Sequence, residues 1–102
     1  MDFRTEFVSK MIIRVRFRGP LATRMPTEVF EIEVENGRNL KAVLEQLISN
    51  HDEVMKHWQS SEQMDRETLL LRNEIDIGLF QGLDTILEDG DMLVILPLVH
   101  GG

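Results

Sequence analysis

The chain has 102 residues, of which 42% are apolar and 28% charged, as in a single globular domain. It has no cysteine, which excludes disulfides, thiolate zinc sites, iron–sulfur clusters and a cysteine nucleophile. Its formal net charge of -7 argues against nucleic acid as a partner, because such binding depends on cations that displace counterions from phosphates.

Two features of the sequence bear on the cellular location of the protein. Residues 1–7 carry charges where a secretion signal would need an apolar run, and the longest apolar run, Met92 to Leu96, is far too short to span a membrane. We therefore expect a cytoplasmic protein with no membrane partner. Residues 1–10 precede a second methionine, Met11, and are either a disordered N-terminal extension or the product of a misassigned start.

Two segments near the N-terminus alternate with the period of half-buried strands. Apolar side chains alternate with three arginines in residues 13–18 and with three glutamates in residues 29–35. An antiparallel hairpin would bring these opposite charges together on the solvent face, namely Arg14, Arg16 and Arg18 with Glu31, Glu33 and Glu35. Each cross-strand pair would contribute roughly 0.2–1 kcal/mol and help to fix the orientation.

A helical period begins at Leu40. Apolar residues recur from there at i, i+3, i+4, i+7 and i+8, and Asn39 is a suitable N-cap. Residues 49–52 form helix poorly, so one long helix through Trp58 and a break followed by a second short helix are both compatible with the pattern. Residues 59–66 are polar and aperiodic, and we expect them to form a loop.

Strands are again predicted in the C-terminal part. Residues 68–71 are expected to form a short strand and residues 72–74 a turn. Residues 75–79 alternate again, and Gly78 within them indicates either a bulge or a weak edge strand. After a tight turn at residues 88–91, residues 92–96 are apolar at every position. That pattern indicates a strand in the middle of a sheet.

This order of elements favours an α+β fold of the β-grasp type, in which one main helix packs on one face of a mixed sheet. A ferredoxin-like fold would need a second good helix before the last strand, and residues 81–89 are too short and too rich in glycine for one. We expect the domain to cover residues 11–97, followed by a flexible tail over residues 98–102.

The segment from Gly82 to Pro97, followed by Gly101 and Gly102, resembles the C-terminal signature of the ThiS/MoaD family. The members of this family are ubiquitin-like sulfur carriers, and the archaeal small ubiquitin-like modifiers share the pattern. The order of elements from Met11 onward is similar as well. The resemblance therefore implies the same β-grasp fold.

The resemblance also implies that Gly102 carries the chemistry. In this family a ubiquitin-activating-type adenylyltransferase uses Mg-ATP to adenylate the C-terminal carboxylate, and sulfur transfer then leaves a thiocarboxylate. The carrier is not an enzyme and binds no cofactor. Its tail, here Leu98, Val99, His100 and Gly101, would thread into the partner, where glycines let the backbone approach the nucleotide.

By the same resemblance, one face of the sheet would dock the partner. Alternate residues of the last strand would lie on the open face beside two arginines of the first strand, namely Met92, Val94, Leu96, Arg14 and Arg16. An exposed apolar strip with a basic margin is typical of a docking surface. The alternative is that the C-terminal segment or residues 1–10 cover the strip.

Three functions stay open. A small subunit of molybdopterin synthase, with the large subunit as partner, is favoured because the extended helical region exceeds that of a thiamine-pathway carrier. Conjugation through Gly102 to lysines of target proteins is an equal alternative, and a noncovalent β-grasp adaptor is another. No metal site is predicted, because His51 and His57 would point to different faces of a helix and lack a third ligand.

Overall fold

The computed structural model describes residues 9–98, which form a five-stranded mixed sheet packed against helices. The strands are β1 (Lys10–Phe17), β2 (Val29–Glu35), β3 (Thr68–Arg72), β4 (Ile75–Asp76) and β5 (Met92–Pro97). The α-helices in these residues are α1 (Leu40–Asn50), α2 (Asp52–Met55) and α3 (Ser61–Glu67), and 3₁₀ helices lie at Gly19–Arg24, Ile77–Leu79 and Gly82–Asp84. The sheet order β2-β1-β5-β3-β4, with β1 parallel to β5 and the other neighbours antiparallel, confirms the predicted β-grasp fold.

The β1–β2 hairpin has the predicted orientation, and β1 begins earlier than predicted. It starts at Lys10, which the sequence analysis placed in the N-terminal extension. Arg14 lies opposite Glu31 and donates to it from Nε at 3.2 Å. Arg16 lies opposite the first residue of β2, so its guanidinium instead meets Glu28, just before that strand, at 2.7 Å.

Helix α1 starts at the predicted cap. The side chain of Asn39 accepts a hydrogen bond from the Ala42 amide at 2.9 Å, which satisfies one free donor of the first turn. The predicted apolar stripe is buried against the sheet, and the helix ends at Asn50. The separate helix α2 follows, so the break at residues 49–52 is the alternative that the structure adopts.

The loop prediction for residues 59–66 is wrong, because α3 occupies most of this segment. Ser60 caps the helix by accepting a hydrogen bond from the Gln63 amide at 3.1 Å, and the Gln63 side chain accepts one from the Gln59 amide at 2.9 Å. These contacts resemble a capping box. Met64 is fully buried and attaches the helix to the core. A cap and one apolar anchor therefore suffice for a helix without a periodic stripe.

Replacing Ser60 by Ala is expected to lower the free energy of unfolding by about 1 kcal/mol, because the substitution removes the cap of α3. Urea denaturation followed by circular dichroism measures this loss. Ser60→Asp is the matched control, since its carboxylate can still accept from the Gln63 amide and should keep most of the stability. Equal losses in both variants would contradict the capping role.

The predicted edge strand over residues 75–79 is also wrong beyond its first two residues. β4 ends at Asp76, and Ile77–Leu79 form a 3₁₀ turn. The turn arises because the Asp76 carboxylate accepts a hydrogen bond from the Gly78 amide at 2.7 Å, which bends the chain away from the sheet. The preceding turn is confirmed at Asn73 and Glu74, whose φ values are 50° and 70°, whereas Arg72 is still the last residue of β3.

The core lies between the sheet and the helices. Phe17 stacks on Trp58 with 5.9 Å between ring centroids and meets the ring of Phe30 edge-on at 5.7 Å. These contacts join the hairpin to the segment after α2. Within residues 9–98, no helix is both long and apolar enough to cross a membrane.

Candidate functional site

The predicted tail leaves the domain from the middle of the sheet. Pro97 is the last residue of β5, where it pairs with Thr68 and lies beside Gly19. Leu98 follows it with 40% of its surface exposed. The remaining tail residues Val99, His100, Gly101 and Gly102 lie outside the described residues. The structure therefore fixes the point and surroundings from which the tail departs.

The face of the sheet opposite the helices carries the residues predicted to dock a partner. Leu93 and Ile95 point into the core, so the alternate residues of β5 lie on the open face. The parallel register places Arg14 beside Met92 and Arg16 beside Val94. An apolar strip along β5 is therefore bordered by the arginines of β1.

The expectation that the whole strip is exposed is wrong at its centre. Met92 and Leu96 are partly buried, and Val94 has 0% of its surface exposed although it lies outside the core cluster. On the open face its strand neighbours are Arg16 and Leu71.

An ion pair that was not predicted from the sequence crosses β5 on this face. The Arg18 guanidinium donates two hydrogen bonds to the Glu74 carboxylate, at 3.0 and 2.6 Å. Arg18 follows β1, and Glu74 lies in the turn after β3, so a pair between them on the open face must pass over β5. In the register of the sheet, Arg18 lies beside Leu96, and Glu74 lies one residue past the position beside Met92. The line that joins the two side chains therefore crosses β5 near Val94.

The same contacts shift the ionisation of both groups. The hydrogen bonds from Arg18 hold the pKa of the Glu74 carboxyl below its usual range, with smaller help from the nearby charges of Arg18 and Arg16. The hydrogen bond to Glu74 in turn raises the pKa of Arg18. Both groups are therefore charged at neutral pH, and the pair is intact there.

The Arg18–Glu74 pair is expected to add a small, salt-sensitive contribution to stability that disappears in acid. Because the pKa of Glu74 is lower in the folded than in the unfolded chain, this contribution is present at neutral pH and lost as the pH falls through the folded pKa. Urea unfolding of the chain and of Glu74→Gln over a pH series measures it. The two curves should converge below the usual pH range of glutamate titration, and a constant difference would contradict the assignment.

A buried carboxylate fixes the start of β5 next to this pair. Asp91 accepts hydrogen bonds from Arg72 Nε at 2.9 Å, Asn73 Nδ2 at 3.0 Å and the Glu88 amide at 2.8 Å. Its side chain is 7% exposed and that of Arg72 14%. From the sequence, residues 88–91 are predicted only to form a tight turn. The arrangement holds the β3–β4 turn, and with it Glu74, against β5.

The two candidate histidines take structural positions. His51 follows α1 and packs edge-on against Phe30 at 4.7 Å between ring centroids, while His57 lies beside Trp58 at 5.5 Å. In the part of the chain that the structure describes, no three His, Asp or Glu side chains are grouped so as to hold a metal ion.

Comparison with solved structures shows what the fold is similar to. Small archaeal modifier protein 1 from Methanosarcina acetivorans is 23% identical, with a TM-score of 0.70 over 92% of this chain and 99% of that one. A chain from the complex of subunits 1 and 2 of the molybdopterin-converting factor from Helicobacter pylori is 25% identical to this one. Its TM-score is 0.56, over 90% of this chain and 100% of that chain.

The BexX/CysO complex from Amycolatopsis orientalis is 24% identical, with a TM-score of 0.64 over 88% of this chain and 99% of that chain. No curated protein matches the chain. The model of the ThiS family, however, matches residues 15–102, which include most of the described fold and the whole tail. The chain therefore belongs to the ThiS family, of the ThiS/MoaD type, and is a ubiquitin-like sulfur carrier or modifier.

Proposed function

We propose that the carboxylate of Gly102 is activated as an acyl-adenylate and converted to a thiocarboxylate, which delivers sulfur to molybdopterin. The observation that carries this proposal is the match of the ThiS family model through Gly102, directly after a central strand that presents the tail. Residues Leu98 to Gly102, fully extended, reach on the order of 17 Å, enough to enter the active site of a partner.

The chemistry needs a partner because a carboxylate is a poor electrophile. Its oxygen attacks the α-phosphorus of ATP, pyrophosphate leaves, and the acyl-adenylate forms. The terminal sulfur of a donor persulfide then attacks the carbonyl carbon and displaces AMP. The new bond joins the donor's terminal sulfur to the carbonyl carbon, and the product is an acyl disulfide. A thiol then attacks the donor's inner sulfur and breaks the sulfur–sulfur bond that came from the persulfide, which forms a disulfide with the donor and leaves the thiocarboxylate on Gly102. This chain supplies only the carboxylate and binds no cofactor itself.

The proposed partners act in the cytoplasm. The first is a ubiquitin-activating-type adenylyltransferase that uses Mg-ATP, and the second is the large subunit of molybdopterin synthase. The Helicobacter pylori and Amycolatopsis orientalis relatives were solved as complexes with other chains, which supports docking to a protein. The open face around Met92 and Leu96, with Arg14 and Arg16, is the proposed docking surface.

Conjugation to lysines of target proteins through Gly102 is a second candidate. The likeness to a small archaeal modifier protein favours it. Both candidates share the adenylation step and differ in the nucleophile that follows, which is a persulfide in one case and an amine in the other. A noncovalent adaptor, the third possibility, would need neither step.

Intact mass spectrometry tests the proposal. The full chain is incubated with Mg-ATP, a persulfide donor, a reducing thiol and the adenylyltransferase from its own cell. We expect the mass change of one oxygen replaced by sulfur, located on the C-terminal peptide and absent when ATP or the donor is omitted. Adducts with protein lysines would favour the modifier. Neither product, under conditions that charge a known carrier, would overturn the proposal in favour of the adaptor.

A further inference from the structure

The Arg18–Glu74 pair differs from the other ion pairs of the open face in its direction. Arg14 pairs with Glu31 and Arg16 with Glu28, so both of those carboxylates come from the β2 side. Glu74 instead reaches Arg18 from beyond β3, across the apolar strip of β5. This pair therefore crosses the strand that carries the apolar strip, whereas the other two lie beside that strand.

The backbone conformation of the β3–β4 turn and its contacts with β5 fix the position of Glu74. Glu74 has a φ of 70°, a left-handed conformation that favours glycine and is unfavourable for a residue with a Cβ. Asn73 anchors the turn to Met92 through its amide at 2.8 Å and its side-chain oxygen at 2.9 Å. Such strain persists only where surrounding contacts hold the residue, and strained residues are concentrated at functional sites.

The Arg18–Glu74 pair can be displaced because both side chains remain accessible to solvent. The side chains of Arg18 and Glu74 are 42% and 57% exposed, so water and salt compete with the pair. Below them Val94 is fully buried, and Met92 and Leu96 are partly buried. Displacing one carboxylate would thus uncover the centre of the strip and leave a free guanidinium beside it.

We propose that Glu74 is an internal stand-in for a carboxylate of the docking protein, which replaces it on Arg18 while an apolar side chain of that protein packs on Val94. This inference rests on the proposed function, because it takes the adenylyltransferase as the docking protein. Arg18 and Glu74 then set specificity, since a partner must present an acidic group next to an apolar one.

Whether the ion pair covers Val94 is tested in the chain alone. Glu74→Gly removes the carboxylate and suits the left-handed turn, so the variant should fold. A soluble paramagnetic agent should then relax the Val94 methyl protons several-fold faster than in the unchanged chain, with no change at the core residue Val15. Glu62→Gln, which breaks the pair with Lys41 on the helix side, is the matched control. Unchanged protection of Val94 in Glu74→Gly would overturn the inference.

The exchange of carboxylates is tested by calorimetric titration of the adenylyltransferase that charges the chain in the mass assay. Glu74→Gly should bind about three- to fivefold tighter, because no internal carboxylate competes for Arg18. Arg18→Gln also uncovers Val94 but removes the cation, and should bind about tenfold weaker. Tighter binding of Arg18→Gln would show that only apolar exposure matters and would overturn the exchange.

The two proposals fail differently. Normal charging of the unchanged chain, with equal affinity for both variants, would overturn the inference and leave the proposed function standing. Absence of charging would overturn the proposed function and the exchange together, while the relaxation of the Val94 methyl protons would still decide whether the ion pair is a cover.

Discussion

Deletion of Gly102 is expected to reduce formation of the C-terminal thiocarboxylate by about 100-fold or more and to leave the free energy of unfolding unchanged. The deletion moves the carboxylate back by one residue, up to about 3.5 Å, from the position where it would meet ATP. A displacement of about 1 Å in an active site can already reduce a rate about 100-fold. Intact mass spectrometry gives the extent of charging, and urea denaturation gives the stability.

Two further variants test whether the position of the carboxylate or the presence of a Cβ limits charging. Gly102→Ala keeps the length and adds a Cβ, so it should be charged slowly but measurably if the channel of the partner is narrow. A chain extended by one glycine moves the carboxylate the other way and should also be charged poorly. Charging of the Gly102 deletion at the rate of the unchanged chain would contradict the proposed role of this carboxylate.

Replacing Asp91 by Ala is expected to lower the free energy of unfolding by about 3–5 kcal/mol, the range found when one partner of a buried ion pair is removed. Arg72 would keep a charge that is only 14% exposed, and the donors of Asn73 and Glu88 would lose their acceptor. Urea denaturation measures the loss. Asp65→Ala, at an exposed position of α3, is the control and should stay within about 0.5 kcal/mol.

A conservative variant separates charge from hydrogen bonding at this position. Asp91→Asn keeps one acceptor oxygen, and we expect it to be more stable than Asp91→Ala but less stable than the unchanged chain. A loss below about 1 kcal/mol in Asp91→Ala would mean that water replaces the carboxylate. The assignment of Asp91 as the anchor of β5 would then be wrong.

The elements with regular side-chain periods could be predicted from the sequence. Alternation located β1 and β2, the spacing from Leu40 located α1, and the apolar run located the central strand β5. Helix α3 could not be found this way, because one buried residue, Met64, gives no period. Its capping residues Ser60 and Gln63 were the available signal. The end of β4 depended on a single contact of Asp76, which a pattern of apolar residues does not reveal.

The candidate site was predictable where it follows from strand register alone. Once β5 pairs with β1, the placement of Met92 beside Arg14 follows. The ion pair across β5 does not follow, because Arg18 and Glu74 are 56 residues apart in sequence and many other carboxylates could have met that arginine. The contact of Asp91 with Arg72 spans 19 residues and depends on the same β3–β4 turn.

The position of β5 has a consequence for the order in which the chain matures. In the described sheet, β1 and β2 form one half and β3 and β4 the other, and β5 alone joins them. The strand that completes the sheet is also the one that carries the tail. In a chain whose β5 is not yet in place, no strand pairing connects the two halves of the described sheet. Pairings between residues far apart in sequence carry a loop-closure cost that must be met before the contact stabilises the chain. The sheet thus couples presentation of the tail to completion of the fold, because Pro97, from which the tail departs, takes its place only when β5 pairs with both halves.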